Sequence, residues 1–246
     1  MIKERLDKVL FEKGLSASRE RARALIMEGK VLVNGHPVTK AGQLVGSDAQ
    51  VVLRGEDIPY VSRGGLKLEA ALRHFSIAVR DKTAMDVGSS TGGFTDVMLQ
   101  QGACKVYCID VGYGQLAWKL RQDPRVVLLE RTNMRHLEKD RIAEQIDIAT
   151  IDVSFISLNK VVPKVLELLK EGGEIVALIK PQFEVGKGEV GKGGIVKDGA
   201  KRQAAVERVK GELAALGLRI VGTIESPIFG QKGNMEYLLY AQKGIH

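Results

Sequence analysis

Near the start of the chain, apolar side chains fall at Ile2, Leu6, Val9 and Leu10, a spacing that predicts a helix over residues 2–13 with one inward face. Gly14 stops that helix, since glycine accepts the left-handed conformation that closes a C-terminus. Ser16 or Ser18 can cap a second helix, whose inner side carries Ala22, Leu25 and Ile26 and which ends at Gly29. Val31-Leu-Val-Asn-Gly-His-Pro-Val38 predicts two short strands around an Asn34-Gly35 turn, and Gln50–Leu53 predicts another. A polar run, Arg54-Gly-Glu-Asp-Ile-Pro59, follows. Residues 1–58 are therefore expected to form a small α+β domain, with 59–62 as the linker to a second domain over 63–246.

From residue 63 the pattern changes to alternating helices and strands, the signature of an α/β domain with a mostly parallel sheet. A helix is expected at Leu66–His74. Strands are expected at Thr83–Val87, Lys105–Asp110, Val126–Leu129, Ile146–Asp152, Glu174–Ile179, Arg219–Glu225 and Met235–Ala241. Helices fill most gaps, at Gly93–Gln101, Leu158–Lys170 and Gly199–Leu216. Val185–Lys197 holds five glycines and three lysines and is expected to be a mobile loop. No internal repeat is present.

Composition narrows the class. With 44% hydrophobic and 27% charged residues in 246, the chain can bury a core, which excludes wholesale disorder. No apolar run approaches the roughly 18 residues that span a bilayer, and the charged N-terminus lacks the apolar stretch of a secretory signal. The two cysteines, Cys104 and Cys108, fall on one expected strand, too far apart for a disulfide, and suit free thiols in a reducing cytoplasm. The formal charge is +7, and residues 1–40 carry nine basic against five acidic side chains, so +4 lies in the first forty positions. That asymmetry favours a polyanionic partner.

Candidate chemistry begins at Asp86-Val-Gly-Ser-Ser-Thr-Gly-Gly-Phe-Thr-Asp96, between an expected strand and an expected helix. Glycines let a backbone approach a ligand closely, and a helix N-terminus favours anionic groups. The next strand ends in Cys108-Ile-Asp110, an acid placed to accept hydrogen bonds from a ribose. Together these point to an adenosine-containing cofactor. The turn departs from the dinucleotide fingerprint, and Asp86 would repel a pyrophosphate while suiting the cationic amino group of a methionine. S-adenosylmethionine is thus favoured over NAD. A second glycine stretch, Gly186-x4-Gly191-Lys192, nearly matches a phosphate-binding loop, but Gly193 stands where Ser or Thr must reach magnesium, so an NTPase site is rejected. Lys180 and Asp152 end two apolar strands on the rim where open α/β sheets bind ligands, Lys67 precedes the first sheet strand, and Glu236 enters the last.

Five segments carry a closer resemblance: Tyr60-Val-Ser-Arg-Gly-Gly-Leu-Lys67, the Asp86–Thr95 turn, Asp152-Val-Ser-Phe-Ile-Ser157, Ile179-Lys-Pro-Gln-Phe-Glu184 and Gly233-Asn-Met-Glu236. With them the chain resembles, over essentially its whole length, the TlyA family of ribosomal RNA ribose 2′-O-methyltransferases, historically labelled hemolysins, whose catalytic domain is of the FtsJ (RrmJ) type. The resemblance implies an S4-like RNA-binding domain followed by a Rossmann-like methyltransferase fold. It places the Lys-Asp-Lys-Glu tetrad of such enzymes on Lys67, Asp152, Lys180 and Glu236. It also implies cofactor contacts from Asp86, Gly88, Ser89, Ser90, Gly92, Gly93, Phe94 and Asp110, with Asn133 and Met134 near the adenine. The implied substrate is a cytidine ribose in ribosomal RNA of the large subunit, the small subunit or both.

The chemistry fits on its own terms. A ribose hydroxyl needs a base and an in-line methyl donor, and no metal is required to move a methyl group from a sulfonium. A neutral Lys180 can be that base, a state favoured by burial and by a second cation such as Lys67, with Asp152 orienting it and Glu236 and Lys67 holding the ribose. Arg19 and Arg23 share a helix face and, with Arg5, Lys30 and Asn34, are expected to contact RNA phosphates, as the S4 resemblance implies. Aromatics suited to base stacking are scarce: Phe11 reads as core, and Tyr113 and Trp118 as packing residues, so shape and phosphate recognition are expected. A membrane-lytic protein would need an inserting amphipathic segment, and none is found. A non-catalytic ribosome-assembly factor would use the S4-like domain but leave the glycine turn and the tetrad without a role.

Overall fold

The computed structural model describes residues 3–16, 18–55, 58–186, 188–191 and 193–244. The chain divides between Pro59 and Tyr60 into two units. The first runs β1 (Lys3–Arg5), α1 (Leu6–Glu12), α2 (Arg19–Met27), β2 (Val31–Val33), β3 (His36–Val38), β4 (Leu44–Gly46) and β5 (Val51–Leu53). Its core is Leu6, Leu10, Ala22, Leu25, Ile26 and Val31, all fully buried, and each such aliphatic chain contributes about 1.5–3 kcal/mol over its exposed state. Ser18 caps α2, accepting from the Arg21 N–H at 3.1 Å. Asn34, with φ of 50°, and Gly35 turn β2 into β3, and β2 also pairs with β5. The expected helix over 2–13 differs at its start: Ile2 lies outside the described residues, and Lys3–Arg5 is a strand paired antiparallel with β4. A three-residue strand has no periodicity of its own, and only its distant partner fixes it.

The second unit runs α3 (Gly64–His74), β6 (Thr83–Val87), α4 (Gly93–Gln100), β7 (Lys105–Ile109), α5 (Trp118–Arg121), β8 (Val126–Leu129), β9 (Ile146–Ile151), α6 (Val162–Leu166), β10 (Leu169–Ile179), α7 (Pro181–Glu184), α8 (Gly199–Ala215), β11 (Leu218–Glu225) and β12 (Tyr237–Lys243). Its seven-stranded sheet has the order β11-β12-β10-β9-β6-β7-β8, parallel from β10 to β8, with β12 antiparallel to both of its neighbours. Alternate strand residues point to opposite faces. Ile175, Ala177 and Ile179 therefore join a core with Val206, Val209 and Leu213 of α8, while Val176 and Leu178 join a core with Leu68 of α3 and Val97 and Met98 of α4. The chain leaves β6 to β7 on one side and reaches β9 on the other, so a topological switch point opens at the carboxyl ends of β6 and β9, where such sheets bind ligands.

The helix expected over Leu158–Lys170 is instead a 3-10 turn at Leu158–Lys160, the short α6, and the start of β10. Pro163 sits in the first turn of α6, where its missing N–H is harmless but the preceding chain is turned away from helix. Leu169 then pairs with Ile146. The glycine-rich loop, expected to be mobile, is tied down where it is described: Asn234 accepts from the Val196 N–H at 3.2 Å and donates to the Gly194 carbonyl at 2.9 Å, and Val196 is buried. Lys187 and Lys192 of that loop lie outside the described residues. Among the described residues no helix is long and apolar enough to cross a membrane. Because each unit has its own core, a fragment beginning at Tyr60 is expected to unfold cooperatively with its helix and sheet content intact, as thermal denaturation followed by circular dichroism would show.

Candidate active site

Register on the sheet sets the site. Ile179 of β10 pairs with Tyr237 of β12, so the next residues outward, Lys180 and Glu236, leave the rim side by side. Val87 of β6 pairs with Ile151 of β9, which sets Gly88 beside Asp152. Two ion pairs form on this rim. The Lys180 ammonium lies 2.5 Å from Asp152 Oδ1 and donates to Ser154 Oγ at 3.0 Å. Asp152 Oδ1 is otherwise buried and accepts no aligned hydrogen bond, so charge alone holds it. Lys67, arriving from α3, donates to Glu236 Oε2 at 2.5 Å, and both side chains are buried. Glu236 lies hard against Gly230, where any Cβ would strike its carboxylate.

Two adjoining clefts open beside these pairs and share Gly88, Ser90 and Asp152. The larger, about 640 Å³, is lined by Asp110, Val111, Asn133, Met134 and Phe155 among others. The smaller, about 110 Å³, is lined by Ser62, Asp86, Ser89, Gly93 and Phe94. Asp110 Oδ2 accepts from the Ser90 N–H at 2.7 Å and Oδ1 from the Gly112 N–H at 2.7 Å, which leaves further lone pairs on each oxygen. Ser89 is buried and its hydroxyl has no partner within the protein, an orphan that a polar ligand in the smaller cleft would satisfy. Asn133 caps the 3-10 turn that begins at Met134, accepting from the Arg135 N–H at 3.1 Å, and Met134 is buried at the cleft wall.

The glycines and Asp86 also have partners within the fold. Gly88, with φ of 83°, lines both clefts, and a Cβ there would meet the Asp152 carbonyl. The turn's first glycine thus lets β6 and β9 close on each other. Gly92 caps α4 in the left-handed conformation beneath Leu116 and Leu120, and Gly93 lies against Ser62 and Gly65. Asp86 was expected to face a cationic amino group. It lines the smaller cleft, yet its Oδ2 accepts from the Thr95 N–H at 3.0 Å and hydroxyl at 2.6 Å, and its Oδ1 from the Thr150 hydroxyl at 3.1 Å. It thereby satisfies a donor in the first turn of α4 that Gly92 cannot cap.

Further residues escaped the sequence reading. Glu184 of α7 is buried and accepts from Ser157 Oγ at 2.6 Å and the Leu158 N–H at 3.0 Å, binding the segment after Asp152 to the turn after Lys180. Burial raises its carboxyl above the usual range. Its signal was the acid closing Ile179-Lys-Pro-Gln-Phe-Glu184. Aromatics are also less scarce at the surface than expected. Phe155 is 88% exposed in a left-handed backbone with φ of 64°, its ring 4.9 Å from that of Phe183, which itself lies 6.0 Å from the Lys180 ammonium. Phe11 is half-exposed rather than core, and Tyr113 and Trp118 are exposed, with the Arg131 guanidinium 4.4 Å from the Tyr113 ring.

In the first unit, Arg5, Arg19 and Arg23 converge on a residue the sequence reading did not single out, the buried Asp7. Lys30 pairs instead with Glu28, and Asn34 accepts from the Gln50 N–H at 2.9 Å.

Residues 60–243 match the FtsJ-like methyltransferase family and residues 4–51 match the S4 domain. The chain is 48% identical to YqxC of Bacillus subtilis, a candidate rRNA methyltransferase, over 97% of this chain and 85% of that one. It is 46% identical to the 16S/23S rRNA (cytidine-2′-O)-methyltransferase TlyA of Mycobacterium tuberculosis, over 96% of this chain and 88% of that one. The solved structure of a hemolysin candidate from Streptococcus thermophilus is 44% identical, covers 99% of this chain and 90% of its own, and superposes with a TM-score of 0.79.

Burial, against the hydrogen bonds from Thr95 and Thr150, pushes the Asp86 carboxyl up to about 6. A carboxyl raised on folding binds more protons in the folded state, so its contribution to stability is greatest below about pH 4 and is lost as pH rises through 6. Asp86→Asn keeps the acceptor for Thr95, while Thr150 can turn to the Met85 carbonyl at 3.3 Å. The expected outcome is that wild type gains stability relative to this variant as pH falls from 7 to 4, measured by urea denaturation at each pH.

Proposed function

Because the chain belongs to the FtsJ-like methyltransferase family and carries an S4 domain ahead of the catalytic unit, we propose that it transfers a methyl group from S-adenosylmethionine to the ribose 2′-hydroxyl of a cytidine in ribosomal RNA. The observation that carries this reading is the placement of two lysine–carboxylate pairs on neighbouring strand ends beside two joined clefts. Asp110, Asn133 and Met134 would hold the cofactor in the larger cleft, and the orphan Ser89 hydroxyl would bind it in the smaller one. S-adenosylmethionine, when bound, supplies a methyl group activated by its sulfonium.

The protein's part is to aim the hydroxyl and take its proton. Lys180 would take that proton at Nζ while the bound cofactor supplied the methyl group to the oxygen. Asp152 and Ser154 fix the amine and favour the resulting ammonium. Lys67 and Glu236, locked to each other, present a donor and an acceptor to the neighbouring ribose oxygens. Phe155 offers its exposed face to the base of the target nucleotide, so that base stacking joins phosphate contact in recognition. Arg5, Arg19 and Arg23 of the S4 domain contact phosphates and hold the RNA in register. Ribosomal RNA or a ribosomal subunit is then the partner, and the reaction belongs to the cytoplasm.

The direct test maps 2′-O-methyl groups on ribosomal RNA from cells with and without this gene, alongside calorimetric titration of the purified protein with S-adenosylmethionine. Absence of cofactor binding by the folded protein would favour an assembly role instead. Lys180→Ala is expected to reduce methyl transfer by a factor of about 10²–10⁴ with cofactor affinity unchanged, as single-turnover rates and titration would show. Phe155→Ala is expected to raise KM for RNA or lower kcat with the same cofactor affinity, since its stacked base is worth about 1–3 kcal/mol.

A further inference from the structure

The charge pattern of the S4 domain has an unexpected centre. Asp7, in the first turn of α1, is fully buried, although three of its neighbours in space are arginines on or near the surface. Arg5, at the end of β1, grips it with Nε at 2.9 Å and Nη2 at 3.1 Å. Arg19 and Arg23, four residues apart on one face of α2, reach the same carboxylate with Nη2 at 3.2 Å and Nε at 3.0 Å. Two elements thus deliver four hydrogen bonds to one anion, while the three arginine side chains stay 43–48% exposed.

A guanidinium carries five N–H groups. Of the fifteen on these arginines, four are taken by Asp7, and the exposed part of each side chain leaves further N–H groups for a ligand. We propose that Asp7 is a positioning residue for RNA: a buried anion that holds Arg5, Arg19 and Arg23 as a preformed clamp for adjacent phosphates. The proposal rests on the reading of this surface as RNA-contacting. Three guanidiniums this close would otherwise repel one another and spread, and long side chains lose much freedom when a ligand orders them. A shared carboxylate removes the repulsion and orders the arginines before the ligand arrives, which strengthens binding without adding a contact. The Arg5 hydrogen bonds foremost, against the effect of burial, hold the Asp7 carboxyl well below the ordinary carboxylate range.

The proposal makes a prediction opposite to that of net charge. Asp7→Asn removes one negative charge and so raises the net charge by one, and charge alone would tighten RNA binding. Positioning predicts weaker binding, by roughly tenfold, the scale of one charge-assisted hydrogen bond lost. The experiment measures affinity of the full-length protein for 16S and 23S rRNA transcripts at several salt concentrations, for wild type, Asp7→Asn, Asp7→Glu and Arg19→Ala/Arg23→Ala. Support is a loss in Asp7→Asn, partial recovery in Asp7→Glu, and a raised KM for RNA with kcat and cofactor affinity unchanged. Equal or tighter binding by Asp7→Asn, while the double arginine variant binds weakly, overturns the anchor but leaves the RNA surface standing. Unchanged binding by the double arginine variant overturns the RNA surface itself, and the proposal with it. A measurement on the unaltered protein covers the case in which Asp7→Asn fails to fold. Nitrogen-15 relaxation of the Arg5 and Arg23 Nε–H groups in the RNA-free protein is expected to show backbone-like order, and free rotation there would refute preorganisation.

Discussion

A buried ammonium needs an anion beside it, and in the catalytic unit that constraint joins parts of the chain that nothing else would bring together. Lys67 enters from α3 and Glu236 from the approach to β12, and neither side chain has enough water around it to stand alone. Removing one partner of such a pair typically costs about 3–5 kcal/mol, because the other is left buried and uncompensated. The pair therefore fixes α3 against the rim and sets the height at which the chain enters β12. That entry lies beside Lys180, which is in turn held by Asp152 on the next strand. Two ion pairs on three neighbouring strand ends make a rigid polar edge on an apolar sheet.

Other buried acids repeat the arrangement without a cation at every site. Asp86 ties β6 to α4 through Thr95 and to β9 through Thr150. Glu184 ties the segment after β9 to the turn after β10. In the S4 domain Asp7 gathers three arginines. Each carboxylate is costly to bury and is retained where it accepts several hydrogen bonds at once. Each also stands at, or directly behind, a surface proposed to meet cofactor or RNA. The polar groups that shape those surfaces are thus held from inside the fold.

Phe155 breaks the rule that large apolar groups go inside, and it does so beside the Lys180–Asp152 pair. Its left-handed backbone is strained for a residue with a Cβ, and the ring is turned outward against Phe183. Strain combined with exposure at the mouth of a cleft is the usual mark of a residue kept for contact with a ligand. It is the proposed aromatic contact for a nucleobase, alongside the proposed phosphate contacts of the S4 domain.

The sequence by itself determined the elements and the edge at which the site lies. Strands such as Thr83–Val87 and Val126–Leu129 were legible as short, mostly apolar runs bounded by polar residues, and Asn34-Gly35 because few residue pairs accept its turn. The glycine turn, Asp110, Asp152 and Lys180 were legible as strand-end residues, since the order of strands and helices already fixes which rim they share. Only the tertiary structure decided who pairs with whom. Glu236 lies 169 residues from Lys67, and Asp7 lies 16 from Arg23 and 12 from Arg19. It also decided that a Cβ at Gly88 would meet the Asp152 carbonyl, that Lys3–Arg5 is a strand, and that the helix expected after Leu158 yields to β10. Periodicity and propensity act over a few neighbouring residues. The partner of a buried charge, or of a short strand, is set by which distant segments are packed beside it when water is removed.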